Sequence, residues 1–373
     1  MLITANKNQA KLVAVHLPNL NGGGAEKVAI ILCEQLHLRG YKIDLVVGTA
    51  RGEYVETIPA GINVVDLGAP RTWKSITALR KYIEKSRPAA IIANVGPQNI
   101  SAVIANALSQ KKTNVFAVQH SSLTHQSRDH PSWQMRAMPI LYRFVLPFSS
   151  GVVAVSHGVA EDLIEKAHIP RNLVKVIYNP ITSPTKEQYE GPISIPEFFD
   201  GQEPVIAALG RLVPVKDFTT LIKAVHLINQ TTFPTRLLVM GNGPMREQLQ
   251  MLVESLNLSE RVRILPFSSN PYPYLKEASV TVMSSRYEGF GNVLVESMAC
   301  GTPVVSTNCP FGPAEILENG KYGHLTPVGD VEALAEAIVA TIRNPISADV
   351  LKSRARTFEP SAAVESYIRL LRL

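Results

Sequence analysis

Short, unbroken apolar runs alternate along this chain with longer stretches in which apolar residues recur every three or four positions. The first pattern suits strands buried on both faces and the second suits helices laid against them, so the chain reads as βα units around parallel sheets. The clearest unit comes first. Lys11 to Leu17 (KLVAVHL) is a buried strand, Pro18 to Gly24 (PNLNGGG) breaks it, and Ala25 to Leu38 follows with Val28, Ile31, Leu32 and Leu36 on one helical face, ended by Gly40. Further strands are predicted at Ile43–Val47, Asn63–Asp66, Ala89–Ala93, Asn114–Gln119 and Gly151–Val155, with amphipathic helices such as Ile76–Lys85 and Val159–Ala167 between them.

The periodicity stops at Val176. Over the 29 residues to Pro204, five prolines and two glycines interrupt any regular spacing, which marks a linker. A second series then runs through Val205–Arg211, Phe218–Ile228, Arg236–Met240, Met245–Leu256, Val262–Leu265, Val280–Ser284 and Pro303–Ser306. A final helix is expected at Pro360–Leu373, with Val364, Ile368 and Leu371 on one face. The reading is therefore α/β: two doubly wound, Rossmann-like parallel-sheet domains at 1–178 and 204–357, a linker at 179–203, and a terminal helix at 358–373 that packs back on the first domain. Ligands of such sheets bind beyond the carboxyl ends of the strands, so two of them face to face enclose a deep cleft.

Composition narrows the choice. A chain of 373 residues, 46% hydrophobic and 18% charged, folds, and at roughly 100–200 residues per domain it holds two cores. The net charge of +6 invites anionic partners. No five like charges are consecutive and aromatics do not interleave with basic residues, so nucleic acid is not expected. Three cysteines without a CxxC pair or a Cys/His cluster give no disulfide framework and no metal site, and a reducing compartment fits. The opening MLITANKNQAK lacks the apolar core of a signal peptide, and Pro139–Val155 is cut by Arg143, Pro147 and Ser149-Ser150-Gly151, so neither export nor a membrane span is expected. A cytoplasmic protein follows.

Three segments could carry chemistry. The first is Gly22-Gly23-Gly24 between a strand and a helix start, where unhindered backbone amides favour phosphate, although a plain turn uses glycine too. Gly22 and Gly24 also begin a dinucleotide fingerprint, with Asp44 twenty residues on, but its third glycine is replaced by Lys27, whose side chain would hinder helix–strand packing. The second is Gly210 to Asp217 (GRLVPVKD), where Arg211 and Lys216 could converge on a diphosphate or form an ordinary solvated loop. The third is Arg286 to Glu296 (RYEGFGNVLVE), with Glu288 before a glycine turn and Glu296 eight residues later in a largely buried helix. Carboxylates placed there can hold sugar hydroxyls while the helix start holds phosphate.

Together the glycine loop, GRLVPVK, the E-x7-E pair running into ESMACGTPVV, and GPAEILENGKYGHLTPVGD resemble the retaining nucleotide-sugar transferases of glycosyltransferase family 4, which have the GT-B fold. The resemblance is strongest from Val205 to Ile338. It implies that Arg211 and Lys216 bind the donor diphosphate, that Gly22, Gly23 and Gly24 approach it from the other domain, and that Glu288 contacts the donor sugar. It further implies that the amides of Gly289, Phe290, Gly291 and Asn292 help hold sugar and phosphate, that Val293 and Leu294 belong to the same donor site, and that Glu296 takes the ribose hydroxyls. Gly241, Asn242, Gly243 and Leu265 would border the base. His120, in VQHSSL at a strand end, would face the donor sugar, and with Glu288 it is the candidate catalytic group.

The reaction implied is transfer of a hexose or N-acetylhexosamine from a nucleotide-diphosphate sugar, UDP foremost, with retention and without a metal or other cofactor; no DxD occurs among eight aspartates. The acceptor would be a glycan or lipid-linked saccharide in surface polysaccharide or glycolipid assembly, with the first domain on the acceptor side. From His125 to Phe148, apolar residues including Trp133, Tyr142 and Phe144 mix with Arg128, Arg136 and Arg143. That mixture suits either a core helix with snorkelling arginines or an anionic membrane surface at which the protein would be peripheral. The alternatives are an NAD-dependent oxidoreductase and a non-catalytic nucleotide-sugar-binding regulator.

Overall fold

The computed structural model describes residues 11–70, 72–129, 132–201 and 203–372. The opening residues read for a signal segment lie outside these, as do His130 and Leu373. Two all-parallel sheets make up the frame. The first orders its strands β3-β2-β1-β4-β5-β6-β7, from β1 (Leu12–Leu17), β2 (Lys42–Val47), β3 (Asn63–Asp66), β4 (Ala90–Asn94), β5 (Asn114–Gln119), β6 (Gly151–Ala154) and β7 (Val174–Val176). The second orders β10-β9-β8-β11-β12-β13, from β8 (Val205–Leu209), β9 (Arg236–Met240), β10 (Val262–Leu265), β11 (Val280–Met283), β12 (Val304–Thr307) and β13 (His324–Thr326). In each sheet the order of strand addition reverses beside the first strand, between β1 and β4 and between β8 and β11, and there the strand ends open a crevice.

Helices fill the crossovers. Those used below are α1 (Gly24–Leu38), α2 (Thr72–Ser86), α3 (Gly96–Leu108), α4 (Leu123–Asp129), α5 (Trp133–Arg136), α6 (Met138–Val145) and α7 (His157–Lys166) in the first half. In the second half they are α8 (Tyr272–Glu277), α9 (Asn292–Cys300), α10 (Ala348–Arg356) and α11 (Pro360–Leu371). Most strand and helix predictions agree to within a few residues. Elements beyond those predicted include two edge strands and two helices. The edge strands β7 and β13 are three residues each, too short to show a period, and β7 lies at the margin of the linker text. Helix α3 buries Gln98, Asn99 and Ser101 among apolar neighbours, which spoils an amphipathic pattern, and α10 offers only Leu351 and Ala355 to the core.

The two halves are not separate cores. One apolar cluster runs from the first sheet through Leu294, Val295 and Met298 of α9 to Phe358 and to Val364, Tyr367 and Leu371 of α11. Arg39 at the end of α1 lies 3.7 Å from Glu365 of α11. A second cluster backs the second sheet. Among the described residues no helix is long and apolar enough to cross a membrane.

Candidate functional site

The glycine loop leaves β1 and meets the other domain at once. A Cβ on Gly22 would stand 2.8 Å from the Phe267 ring and one on Gly24 3.1 Å from Asn292 Nδ2, while one on Gly23 would strike the Glu26 carboxylate at 2.1 Å. None of the three needs a left-handed backbone; they are glycine because the chain passes so close to its neighbours. Gly22 N–H donates to Glu53 Oε2 at 2.9 Å, and Glu53 Oε1 receives Asn242 Nδ2 at 3.3 Å. Its own amide, and then those of Gly22 and the Asn242 side chain, hold the Glu53 carboxyl below the usual range against a small desolvation. Burial instead raises Glu26, which faces Arg211 and Glu53 at the cleft mouth.

Across the cleft, Lys216 and Glu288 form an ion pair, and Ser285 Oγ donates to the same carboxylate at 2.6 Å. Arg211 is exposed, and its side chain has no hydrogen bond or ion pair to any described residue. Both cations belong to the segment after β8, with Lys216 committed to Glu288. A Cβ on Gly241 would stand 2.0 Å from Gly210 O, so the loops after β8 and β9 lie backbone to backbone. Asn242 is spent on Glu53, on Phe267 N at 3.2 Å and, through its carbonyl, on Leu212 N at 2.8 Å. Leu265 O accepts from Gly241 N at 3.1 Å, which ties the loop after β9 to the end of β10.

In the third segment one expectation needs correction. Phe290 is 2% exposed and packs edge-on to Phe358, and Leu294 is fully buried with its amide donating to Gly291 O at 3.0 Å. Leu294 therefore offers a ligand neither its side chain nor its amide, while burial of the Phe290 ring anchors the segment to the core and does not bear on the role expected of the Phe290 amide. Val293 is only partly buried, and Asn292 donates to Gly24 O at 3.3 Å and accepts from Asn179. Gly291, with φ +108°, turns the loop into the helix. Gly289 lies so close to the first domain that a Cβ would come within 2.0 Å of His120 O, and Ser156 Oγ donates to Gly289 O at 2.7 Å.

His120 follows β5, and its Nε2 lies 2.9 Å from Asn94 Oδ1 at the end of β4. Asn94 donates through Nδ2 to the carbonyls of His16 and Ile92, so its Oδ1 accepts and His120 carries its proton on Nε2. Its Nδ1 is then a buried acceptor without a partner. Burial lowers the imidazole to about 4, so the ring is neutral at physiological pH. It can accept a hydroxyl proton in a hydrogen bond but is a weak base.

Glu296 is 7% exposed and is paired, through Oε1, with Lys27 Nζ at 2.5 Å. Lys27 was read as an obstacle to helix–strand packing. It instead points away from the sheet into the other domain, where its ammonium also donates to Tyr272 Oη at 3.3 Å. Burial opposes its charge, but Glu296, then Tyr272 and Tyr54, outweigh it and raise the lysine. The sign of this partnership was legible only as a lysine one turn into a helix after a glycine loop. Asp44 also falls out of the dinucleotide reading. It is the third of six residues in β2, short of the strand end, and its carboxylate receives Tyr82 Oη at 2.6 Å and Asn63 Nδ2 at 2.8 Å, so it cannot serve a ribose there.

Several contacts had no sequence signal. Glu315 of the second domain accepts from the amides of His157 and Gly158 at 3.0 Å each, capping α7 of the first. His125 stacks on Tyr287 with centroids 5.3 Å apart. Pairs of this kind join residues more than a hundred positions apart and have no local pattern.

Comparison with known proteins follows the same division of the chain. Residues 22–183 match the model for Glycosyltransferase Family 4 and residues 193–358 that for Glycosyl transferases group 1. An N-acetylgalactosamine-N,N'-diacetylbacillosaminyl-diphospho-undecaprenol 4-alpha-N-acetylgalactosaminyltransferase of Campylobacter jejuni is 27% identical over 58% of this chain and 57% of its own. The lipopolysaccharide core biosynthesis glycosyltransferase LpsE of Rhizobium meliloti is 35% identical over 45% of this chain and 49% of its own. The match thus spans about half the length of these curated relatives. Anabaena HepE, solved with UDP and glucose, superposes with a TM-score of 0.77 at 23% identity over 97% of this chain and 99% of that one.

Proposed function

This chain belongs to glycosyltransferase family 4, its second half being the group 1 transferase domain, and on that ground we propose that it moves a hexose or N-acetylhexosamine from a UDP-sugar to a glycan or lipid-linked saccharide in surface polysaccharide or glycolipid assembly. The observation that carries the proposal is the convergence across one cleft of amides and His120 from the first domain with Arg211, Lys216, Glu288 and Glu296 from the second. The relatives' names support the acceptor class, since one acts on a diphospho-undecaprenol saccharide and another in lipopolysaccharide core synthesis.

The proposed step breaks the bond between the anomeric carbon and the β-phosphate oxygen, whose electron pair stays on the leaving diphosphate. The acceptor oxygen bonds to the same carbon on the same face, and its proton passes to the departing phosphate. The same-face displacement gives retention without a nucleophilic carboxylate, and Glu288, held by Lys216 and Ser285 before the donor arrives, serves the sugar hydroxyls rather than the anomeric carbon. Arg211 and Lys216 neutralise the diphosphate as its charge grows. Lys216 must exchange Glu288 for phosphate, which frees that carboxylate for sugar hydroxyls. His120 Nδ1 accepts one further hydroxyl.

The first domain offers the acceptor side a surface of unusual character. Trp133, Phe144 and Phe148 on and after α5 and α6 are 74%, 66% and 78% exposed, while Tyr142 and Leu146 between them are buried. Arg136 and Arg143 flank them. This face fits the outer part of an anionic bilayer carrying a lipid-linked acceptor.

The test is a thermal-shift screen with UDP-, GDP- and ADP-sugars, followed by Arg211→Ala and Lys216→Ala. UDP-sugars should raise Tm most, and each variant should lose turnover by about a hundredfold while melting near the wild type. Near-wild-type rates in both variants would overturn the diphosphate assignment.

A further inference from the structure

Lys27 stands where a cation gains least from its own helix. It is the fourth residue of α1, close to the positive end of the helix dipole, and no described residue of its own domain bonds its ammonium. Both partners belong to the opposite domain. Glu296 Oε1 lies 2.5 Å away, Tyr272 Oη 3.3 Å, and the Tyr272 ring centroid 5.0 Å. A lysine and a glutamate so largely removed from water tolerate that state only while paired. The pair therefore exists only when α1 and α9 are together, and parting the domains gives both charges back to solvent.

The pair also leaves half of the carboxylate unused. Lys27 takes Oε1, and Oε2 has no hydrogen bond to any described residue. Nearby contacts cross the cleft in the same sense, with Tyr54 of the first domain edge-on to Phe267 of the second at 5.5 Å. We propose that Lys27 is a positioning residue of the donor site: reaching from the first domain, it orients Glu296 with one oxygen committed and one left for a ribose hydroxyl, so that recognition of the ribose is coupled to domain closure. The inference rests on the donor-site reading of Glu296 above and adds the lysine to it.

The test uses the full chain and two probes, UDP and 2′,3′-dideoxy-UDP, titrated calorimetrically into the wild type, Lys27→Met, Lys27→Arg, Glu296→Gln and the Lys27→Met/Glu296→Gln double variant. The wild type should prefer UDP by about tenfold or more, as expected for loss of hydroxyl bonds to a charged acceptor. Lys27→Met and Glu296→Gln should each reduce that preference to about threefold or less, the double variant should be no worse than either single one, and Lys27→Arg should restore most of it. A general loss of structure would weaken both probes alike and leave their ratio unchanged. Small-angle scattering of nucleotide-free Lys27→Met should show a larger radius of gyration than the wild type. If Lys27→Met keeps the full preference while Glu296→Gln loses it, the lysine has no such role and the donor-site reading stands. If the wild type binds none of UDP, GDP or ADP, the donor-site reading itself fails, and with it the ribose role; an unchanged radius in Lys27→Met would then remove the closure role as well.

Discussion

Gly289 packs against the backbone of His120 with no room for a side chain. A methyl group at Gly289 would come within 2.0 Å of His120 O, so Gly289→Ala must move the loop or hold the domains apart. Misplacement of about an ångström at a reacting centre costs on the order of a hundredfold in rate, and that is the expected loss of turnover for Gly289→Ala, with a melting curve close to the wild type. Turnover within a fewfold of the wild type would mean that this contact does not set the reactive geometry. The residue types at this site were readable in the chain, as was the pairing of a glycine turn with Glu288. What each charge does before substrate arrives was not. Glu288 holds Lys216 and Glu296 holds Lys27, contacts between positions 72 and 269 apart that no spacing rule connects.

At the scale of elements, α5 and α6 carry the sharpest consequence. Their composition fitted both a core helix and a membrane face, because apolar residues with interspersed arginines satisfy either. The fold separates the two sets: Met138, Tyr142 and Leu146 turn inward, while Trp133, Ile140, Phe144 and Phe148 remain outside. Exposed aromatics clustered in this way, with arginine beside them, favour the interface of an anionic bilayer. Vesicles containing about a third anionic lipid should co-sediment the protein at low salt. Replacing Phe144 and Phe148 by serine should weaken binding by about tenfold or more, at roughly 25 cal/mol per Å2 of apolar surface withdrawn from the membrane. Failure of the wild type to sediment with anionic vesicles at low salt would end the membrane proposal. Other elements escaped the sequence for a local reason. Buried polar residues in α3 hide its inner face, and three-residue edge strands show too little pattern to separate from loop.

For the whole molecule, buried histidines set the acid limit. His16 is fully buried, and burial, offset in part by its bond to Val46 O at 2.8 Å, lowers it to about 4; burial lowers His120 to the same value. Both are depressed below the unfolded value, so below about pH 6.5 the unfolded chain takes up protons that the native state refuses. The stabilisation is complete above that pH and is lost as pH falls toward about 4. Each histidine should remove about 2 kcal/mol between pH 7 and 5. Urea unfolding at the two pH values checks this, and equal stabilities would show that neither ring resists protonation in the native state.

By itself, the amino-acid sequence determined the two βα series, the break between them and the residue types of the cleft, because periodicity and glycine chemistry act over a few neighbouring residues. It did not determine which face of the aromatic segment meets solvent, that the apolar interior runs unbroken from one sheet to the other, or that Lys27 crosses to Glu296. Those depend on how the sheets are set against each other, and that setting is decided by packing and by the pairing of buried charge between residues far apart in the chain.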